Sequence, residues 1–516
     1  MRDYTNPKYK MRIAEVSSEI IPYAKTGGLA DVTGTLPLYL EKAGHEVSMF
    51  MPLYKSVKES SIDTRLSDIT FDIPIGDREY TVNLWKSTHH GSKNIAIYFI
   101  QRDEYYDRDA LYGTESGDYQ DNSERFIFFS RAVIEAIKRL GLSIDIIHCH
   151  DWHTGYLIDE IRRNPRYSKI FSKTPTLYTV HNFKYQGNTG FKHQAPQKQD
   201  KGAKLLNTAD GKKLINQNPL LRGMLYSDWI NTVSKSHALE VTTTEYGEGL
   251  EKIITKMKGK LSGILNGLDN KEFNPNTDPF LENNYSNKSI EKRFPNKIDL
   301  QKTFNLPEDE NAFLLGFVGR LSKQKGLDIL IPVVKRFLEE FSAQFVFLGS
   351  GDGEYKNQLT RLQKKFPNNV SIHLYPDFKL PRKIFSGADA VLIPSIFEPG
   401  GIVALEAMRY GAVPIVRKTG GLADSVINFD PQAKTGNGFI FKQLSEWSLF
   451  ATLVRAMTIN QQPLLWKNLV SNTMQADFSW KVTANEYKNL YQRVIKQRKR
   501  FLSTNPHLAY DPLHKG

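Results

Sequence analysis

The 516-residue chain has a single cysteine, Cys149. One thiol excludes an intramolecular disulfide framework and fits a reducing compartment, so a cytoplasmic location is expected. No apolar run reaches the roughly 20 residues that a membrane-spanning helix needs, so no membrane partner is expected. The opening MRDYTNPKYKMR is charged and lacks an apolar core segment, which argues against a secretory signal. Clustered basic residues interleaved with stacking aromatics are also missing, and with them the pattern of a nucleic-acid-binding module. The net charge of +13 is spread along the chain. Its one dense run, Lys496-Gln-Arg-Lys-Arg500, falls in a helical pattern. The basic excess therefore reads as solubility and local attraction for a small anionic substrate. Finally, no Gly-x-Gly-x-x-Gly follows the first strand, so the dinucleotide fingerprint is absent.

What is present is a globular composition, 40% hydrophobic and 24% charged, in a chain too long for one ordinary core. The stretch Asp389 to Val426 reads as strand, loop, helix, strand, loop. Its last loop, Lys418-Thr-Gly-Gly-Leu-Ala-Asp424, repeats Lys25-Thr-Gly-Gly-Leu-Ala-Asp31 letter for letter. Each copy comes after a β-like run. The duplication predicts two similar nucleotide-fold halves with a cleft between them.

In the first half, Lys10 to Val16 reads as a strand, Leu29 to Ala43 as a helix and His45 to Met51 as the next strand. This βαβ unit carries its Gly-rich loop at the carboxyl end of the first strand, where open parallel sheets bind ligands. Gly27 and Gly28 let a ligand approach the backbone, the N–H groups opening the helix face an anion, and Lys25 adds a mobile positive charge. Phe71 to Ile100 reads as β-rich, and the polar, aromatic Tyr105 to Arg125 as a long surface loop over a site. A buried strand then ends in His148-Cys-His-Asp-Trp-His153. His148 and His150 share a strand face and could ligate zinc, but no further His/Cys cluster completes a closed site nearby, so no metal is assigned. The favoured reading is a strand end that delivers Asp151 to sugar hydroxyls. A further strand, Thr176 to Val180, ends in His181, which could donate to a sugar or phosphate oxygen. Asn266-Gly-Leu-Asp269 forms a tight turn near the expected domain boundary.

The second half alternates strands and helices, so a doubly wound parallel sheet is predicted. Arg320 and Lys325 flank the loop after the strand Ala312 to Val318, with Gly319 and Gly326 beside them. A guanidinium fork and a point charge together at a strand end favour a diphosphate site. Glu398 follows another strand, and Pro399-Gly400-Gly401 opens a helix whose first residues, Ile402 and Val403, present unpaired N–H groups to an anion. Different roles are expected for Glu398, on the transferred sugar, and Glu406, on ribose hydroxyls. Trp480, Ala484, Tyr487, Tyr491 and Ile495 recur at helical spacing in a C-terminal helix.

Taken in order, Lys25-Thr-Gly-Gly-Leu, His150-Asp-Trp-His153, Val180-His-Asn182, Asn266-Gly-Leu-Asp269, Gly319-Arg-Leu-Ser-Lys-Gln-Lys325-Gly, Phe397-Glu-Pro-Gly-Gly401 and Lys418-Thr-Gly-Gly-Leu-Ala-Asp424 resemble the bacterial and plant glycogen/starch synthase family. The resemblance spans about residues 11 to 491. It implies an α/β protein of two Rossmann-like domains, the GT-B glycosyltransferase fold. Expected boundaries are 1–265 and 266–479, with a helix at 480–500 packing back on the first domain and a tail at 501–516. It also implies retaining transfer of glucose from ADP-glucose to the non-reducing end of an α-1,4-glucan, with no metal and no cofactor. Under that resemblance Lys25, Gly27 and Gly28 sit by the diphosphate and glucose, and Asp151, His181 and Asn266 surround the glucosyl unit. Arg320 and Lys325 bind the diphosphate, Thr419, Gly420 and Gly421 add backbone donors, and Tyr375 stacks on the base. Many relatives carry Cys where this chain has Gly400, a change that keeps the backbone donor.

No carboxylate pair suited to a glycosidase-like covalent intermediate is evident, so front-face attack supported by Glu398 and the His181 carbonyl is favoured. Three rivals are a same-fold transferase using UDP-glucose or another acceptor, a non-catalytic glucan-binding scaffold, and a nucleic-acid-binding protein. The scaffold would tolerate loss of Lys25, Arg320 or Glu398, yet all three are present.

Overall fold

The computed structural model describes residues 9–75, 78–114, 117–187 and 218–504. The unassigned loop 191–213 and residues 505–516 lie outside them. The chain divides into two compact units. One comprises 1–233, 238–264 and 483–516, and the other 234–237 and 265–482.

The first unit is built on strands β1 (Arg12–Val16), β2 (Glu46–Pro52), β3 (Arg65–Ile75), β4 (Arg78–Thr88) and β5 (Ala96–Gln101). A two-residue pair follows, β6 (Gly113–Thr114) and β7 (Gly117–Asp118), then β8 (Ile146–His150), β9 (Thr176–Val180), β10 (Trp229–Thr232) and β11 (Leu261–Gly263). Apart from β6 and β7 they form one sheet in the order β11-β10-β9-β8-β1-β2-β5-β4-β3. It is parallel from β11 to β5, while β3, β4 and β5 pair antiparallel at one edge. The edge explains the sequence pattern there: β3 and β4 alternate buried and exposed residues, as a strand with one wet face does. By contrast every residue of β8 and β9 is buried. The helix Gly28–Lys42 follows β1, with Leu29, Val32, Leu36 and Leu40 buried on one stripe and Asp31 in its first turn.

The second unit carries β12 (Leu314–Val318), β13 (Gln344–Leu348), β14 (Val370–His373), β15 (Ala390–Ile393), β16 (Val413–Arg417) and β17 (Phe439–Phe441). They form a sheet in the order β14-β13-β12-β15-β16-β17, and every pairing is parallel. Alternate residues go to opposite faces, and both faces are covered. Leu315, Phe317, Phe345, Phe347 and Leu392 join one apolar cluster, while Leu314, Val346, Leu348, Val391 and Ile393 join another. Each such side chain stabilises the fold by about 2 kcal/mol relative to exposure.

Two expectations are corrected. The expected surface loop Tyr105 to Arg125 is anchored in the core at both ends: Tyr105, Tyr106 and Arg125 are fully buried, while Asp107, Asp109, Gly117 and Asp118 between them are exposed. The Tyr105 ring packs on Phe128, and the Arg125 guanidinium donates to Asn122 and to the Tyr105 and Leu111 carbonyls. Polar letters hid an aromatic and guanidinium core whose donors are all met within the chain. Residues 501–504 are not a tail but the end of a helix running Trp480–Thr504. Within the first unit this helix contributes Tyr491, whose hydroxyl lies 2.8 Å from His148 Nδ1. Among the described residues, no helix is long and apolar enough to cross a membrane.

Candidate functional site

In the second unit the candidate side chains Arg320, Lys325 and Glu398 follow the carboxyl ends of β12 and β15. After β12 a single 3-10 turn, Lys323–Lys325, leads into the helix Leu327–Glu340 through Gly326, which is left-handed at φ +74°. A Cβ at Gly326 would overlap the Pro394 carbonyl just past β15, so only glycine lets this turn pack there. The close approach brings Lys325 Nζ to 2.5 Å from Glu398 Oε2. Ser395 Oγ donates to the same oxygen at 2.8 Å. Lysine has three donors, so two remain for a ligand while one is held by Glu398. Arg320 is exposed beside them.

Glu398 lies in the loop and Glu406, half-buried, two turns on in the helix Ile402–Arg409, so they do not share one helical face. That helix starts after Gly401, itself left-handed at φ +65°, with Ile402 and Val403 half-buried in its first turn. The second heptapeptide packs backbone to backbone against this start. Any Cβ at Gly420 or Gly421 would strike the Glu398 or Gly400 main chain. One consequence corrects the sequence reading. The Gly421 N–H is donated to the Glu398 and Pro399 carbonyls at 2.9 and 3.0 Å, so it holds the loop instead of facing an anion. Tyr375 follows β14 and is 72% exposed, a ring open to stacking. Asn266 is buried, and its Oδ1 has no hydrogen-bond partner among the described residues. Gly267 beside it is fixed by Trp480, 2.7 Å from where a Cβ would stand.

In the first unit the corresponding loop is held by a residue the sequence reading passed over. The buried Glu19 carboxylate accepts from the Thr26 N–H at 2.5 Å, the Thr26 hydroxyl at 2.7 Å and the Gly27 N–H at 3.3 Å. Tyr112 adds its hydroxyl at 2.8 Å. Lys25 Nζ pairs with Asp31 at 2.6 Å, both partly exposed. Residues 25–28 are exposed, and a Cβ at Gly27 would meet nothing within 4 Å. Among the described residues, nothing fills the space over this glycine. The two heptapeptides differ in detail. The first starts its helix at Gly28 and pairs its Asp with its own Lys. The second starts at Gly420, and Asp424 instead accepts from the Ser236 N–H and hydroxyl at 2.9 and 2.6 Å.

The ends of β8 and β9 bring Asp151 and His181 together. Asp151 does not point freely outward: its Oδ1 accepts the His181 N–H at 2.6 Å. Burial pushes its carboxyl up to about 7, against the pull of the backbone N–H groups of His181 and Asn182. His153 leaves the cluster and stacks on Tyr112, with ring centroids 4.4 Å apart. His148 and His150 do share a face, and Glu15 on the adjacent β1 joins them. Among the described residues these three bring ligand-type atoms within 4.8 Å of one another, all buried. Here the sequence reading missed the third member. Its signal was a lone carboxylate inside the apolar run of β1. All four ring nitrogens already have partners. His148 meets Tyr491 and Thr179, and His150 meets Glu15 at 2.6 Å and His181 at 3.0 Å. An ion could enter only by breaking one of these bonds.

Comparison with known proteins places these features in a family. The starch synthase catalytic domain family matches residues 12–256, and the glycosyl transferases group 1 family matches residues 299–472. The chain is 39% identical over 487 residues to a glycogen synthase of Syntrophotalea carbinolica, covering 94% of this chain and 99% of that one. It is 38% identical to a glycogen synthase of Thermosipho melanesiensis, over 95% of this chain and all of that one. Among solved structures it is similar to the catalytic domain of starch synthase IV from Arabidopsis thaliana bound to ADP and acarbose, with a TM-score of 0.82 at 31% identity, covering 95% of this chain and 100% of that one. A sucrose-phosphate synthase from Thermosynechococcus elongatus shares the fold at 18% identity, with a TM-score of 0.59 over 94% of this chain and 100% of that one.

Proposed function

This chain belongs to the glycogen/starch synthase family of glycosyltransferases, and from that premise we propose that it transfers glucose, with retention, from ADP-glucose to the non-reducing end of an α-1,4-glucan. The observation that carries the reading is the Lys325–Glu398 pair at 2.5 Å, held at a strand end beside the Gly401 helix start. Breaking the C1–O bond leaves positive charge at C1 and negative charge on the departing diphosphate. Lys325 and Arg320 take the diphosphate, helped by the N–H groups of Ile402 and Val403. Glu398 keeps Lys325 aimed and offers its carboxylate to the sugar. Glu406 takes the ribose hydroxyls and Tyr375 the base. In the first unit Lys25 and the open backbone at Gly27 and Gly28 take the diphosphate and glucose. His181 contacts the glucosyl unit, with Asp151 fixing its backbone. The Oδ1 of Asn266, without a donor among the described residues, accepts from a sugar hydroxyl. Loss of one charge-stabilising contact costs about 3 kcal/mol, roughly a hundredfold in rate.

The acceptor hydroxyl attacks on the face the diphosphate is leaving, and its proton passes to the departing phosphate oxygen. A cytoplasmic location belongs to the same proposal, supported by the chain's single, buried thiol. The test is incorporation of labelled glucose into glycogen from ADP-glucose, with UDP-glucose and GDP-mannose in parallel. Incorporation fastest from ADP-glucose is expected, and none from any donor would refute the reading. A glucosyl-enzyme ester trapped on any carboxylate would overturn the front-face route.

A further inference from the structure

Glu15 is a carboxylate at the centre of a nine-stranded sheet, 0% exposed, on a strand otherwise apolar from Ile13 to Val16. An unpaired charge there would cost several kcal/mol. It is not unpaired. Oε1 lies 2.6 Å from His150 Nε2 and Oε2 3.2 Å from His148 Nδ1. The line of contacts continues outward, because His150 Nδ1 lies 3.0 Å from His181 Nε2. We propose that Glu15 is a positioning residue which, through His150, fixes the tautomer of His181 and leaves its Nδ1 as a bare acceptor for a sugar hydroxyl. The inference rests on the reading of His181 as a sugar-contacting residue.

Hydrogen-bond direction along this line of contacts sets the tautomer. Burial alone would raise the Glu15 carboxyl, but His148 and His150 reverse this and hold it at about 2, so it is ionised and accepts only. His150 Nε2 must then carry the hydrogen. Burial, with the neighbouring His148, lowers His150 to about 4, so at neutral pH it has one ring hydrogen and its Nδ1 is bare. His181 Nε2 must therefore donate across the 3.0 Å contact. Burial also holds His181 well below the usual imidazole range, so its single hydrogen is spent at Nε2. Nδ1 has no partner among the described residues. Reversing the direction needs a proton on Glu15 or a second one on His150. His181 is thus held at both ends, its ring by His150 and its N–H by Asp151. Tyr491 and Thr179 anchor His148 beside Glu15 at 2.8 and 2.7 Å and complete the buried set.

The full-length protein, labelled with nitrogen-15 in its histidines, gives the tautomer directly by long-range proton–nitrogen correlation. The wild-type spectrum is expected to show His181 protonated at Nε2 and bare at Nδ1. Glu15→Gln is near-isosteric, but its carboxamide can accept from His150 or donate to it, so both His181 tautomers should appear. Its kcat should fall roughly ten- to hundredfold, as for other outer-shell orienting groups, with the KM for ADP-glucose within about twofold of wild type. Tyr491→Phe removes a buried hydroxyl without touching Glu15 or His150, and should leave the His181 tautomer unchanged. A wild-type His181 protonated at Nδ1 would overturn the relay without any variant. So would a folded Glu15→Gln protein with unaltered tautomer and kcat, or one equivalent of a transition metal in the purified protein. Wild-type turnover in His181→Ala would instead refute the site reading beneath it, a separate result.

Discussion

Replacing Gly326 by alanine tests whether the Lys325 turn needs its close seat against the end of β15. At φ +74° an L-residue is disfavoured by about 1–2 kcal/mol. The added Cβ would also lie 2.8 Å from the carbonyl carbon of Pro394 and closer still to its oxygen, both main-chain atoms that cannot rotate away. Overpacking of this kind costs about 1–3 kcal/mol, so the total is about 3 kcal/mol. Relief requires the turn to withdraw by about 1 Å, which takes Lys325 Nζ out of its 2.5 Å contact with Glu398. A displacement of that size in a positioned group costs roughly a hundredfold in rate. Denaturant unfolding followed by tryptophan fluorescence reads the stability, and labelled-glucose transfer reads kcat/KM. Gly27→Ala is the matched comparison. Gly27 is extended, and no described residue lies within 4 Å of where its Cβ would stand, so its unfolding midpoint should stay put while turnover falls if a ligand occupies that space. A Gly326→Ala protein with wild-type midpoint and kcat/KM would refute the packing argument.

Glu398→Gln should lower kcat roughly a hundredfold while leaving the fold intact, since Ser395 can still donate to the carboxamide; steady-state kinetics on ADP-glucose and glycogen check it. Asp151 has a folded-state pKa raised by burial to about 7, so its contribution to stability is present below its unfolded value and is lost as pH rises towards 7. The histidines lowered by burial act oppositely, losing stability as pH falls below their ordinary range, so the difference between wild type and Asp151→Asn isolates the aspartate. That difference should grow from about pH 4 to pH 7 and then level off in denaturant titrations, and a flat difference would contradict the raised carboxyl. Cys149 is buried and its thiol is pushed up by that burial, so a thiol reagent should find no reactive group in the native protein and one after denaturation.

The parallel sheets were legible because their strands are apolar runs ended by glycine and polar residues, as in LLGFV of β12 and AVLI of β15. The residues flanking those ends, Lys325 and Glu398 among them, could be named from the same signal. Their ion pair could not, since it depends on Gly326 letting two segments 73 positions apart touch. Glu15 was hidden for a related reason. One charge in an apolar strand has no meaning until its partner, 135 positions away, is placed on the neighbouring strand. The ends of Tyr105 to Arg125 misled because Arg125 is buried against the Tyr105 and Leu111 carbonyls, and main-chain partners leave no trace in residue identity. The two heptapeptides show the same limit from the other side. Identical letters start their helices one residue apart and give their aspartates different partners, because the surroundings differ.

The buried carbonyl oxygen of Asn266 has a thermodynamic corollary. A buried acceptor with no donor among the described residues costs the free protein about 1–3 kcal/mol. A molecule that brings a hydroxyl to it relieves that cost only in the folded state, so saturating ligand should raise the melting temperature beyond what phosphate contacts alone provide. Asn266→Ala removes the burden along with the acceptor. Such a protein should melt close to wild type when empty yet gain less from the sugar nucleotide, while its gain from the nucleotide without sugar stays the same.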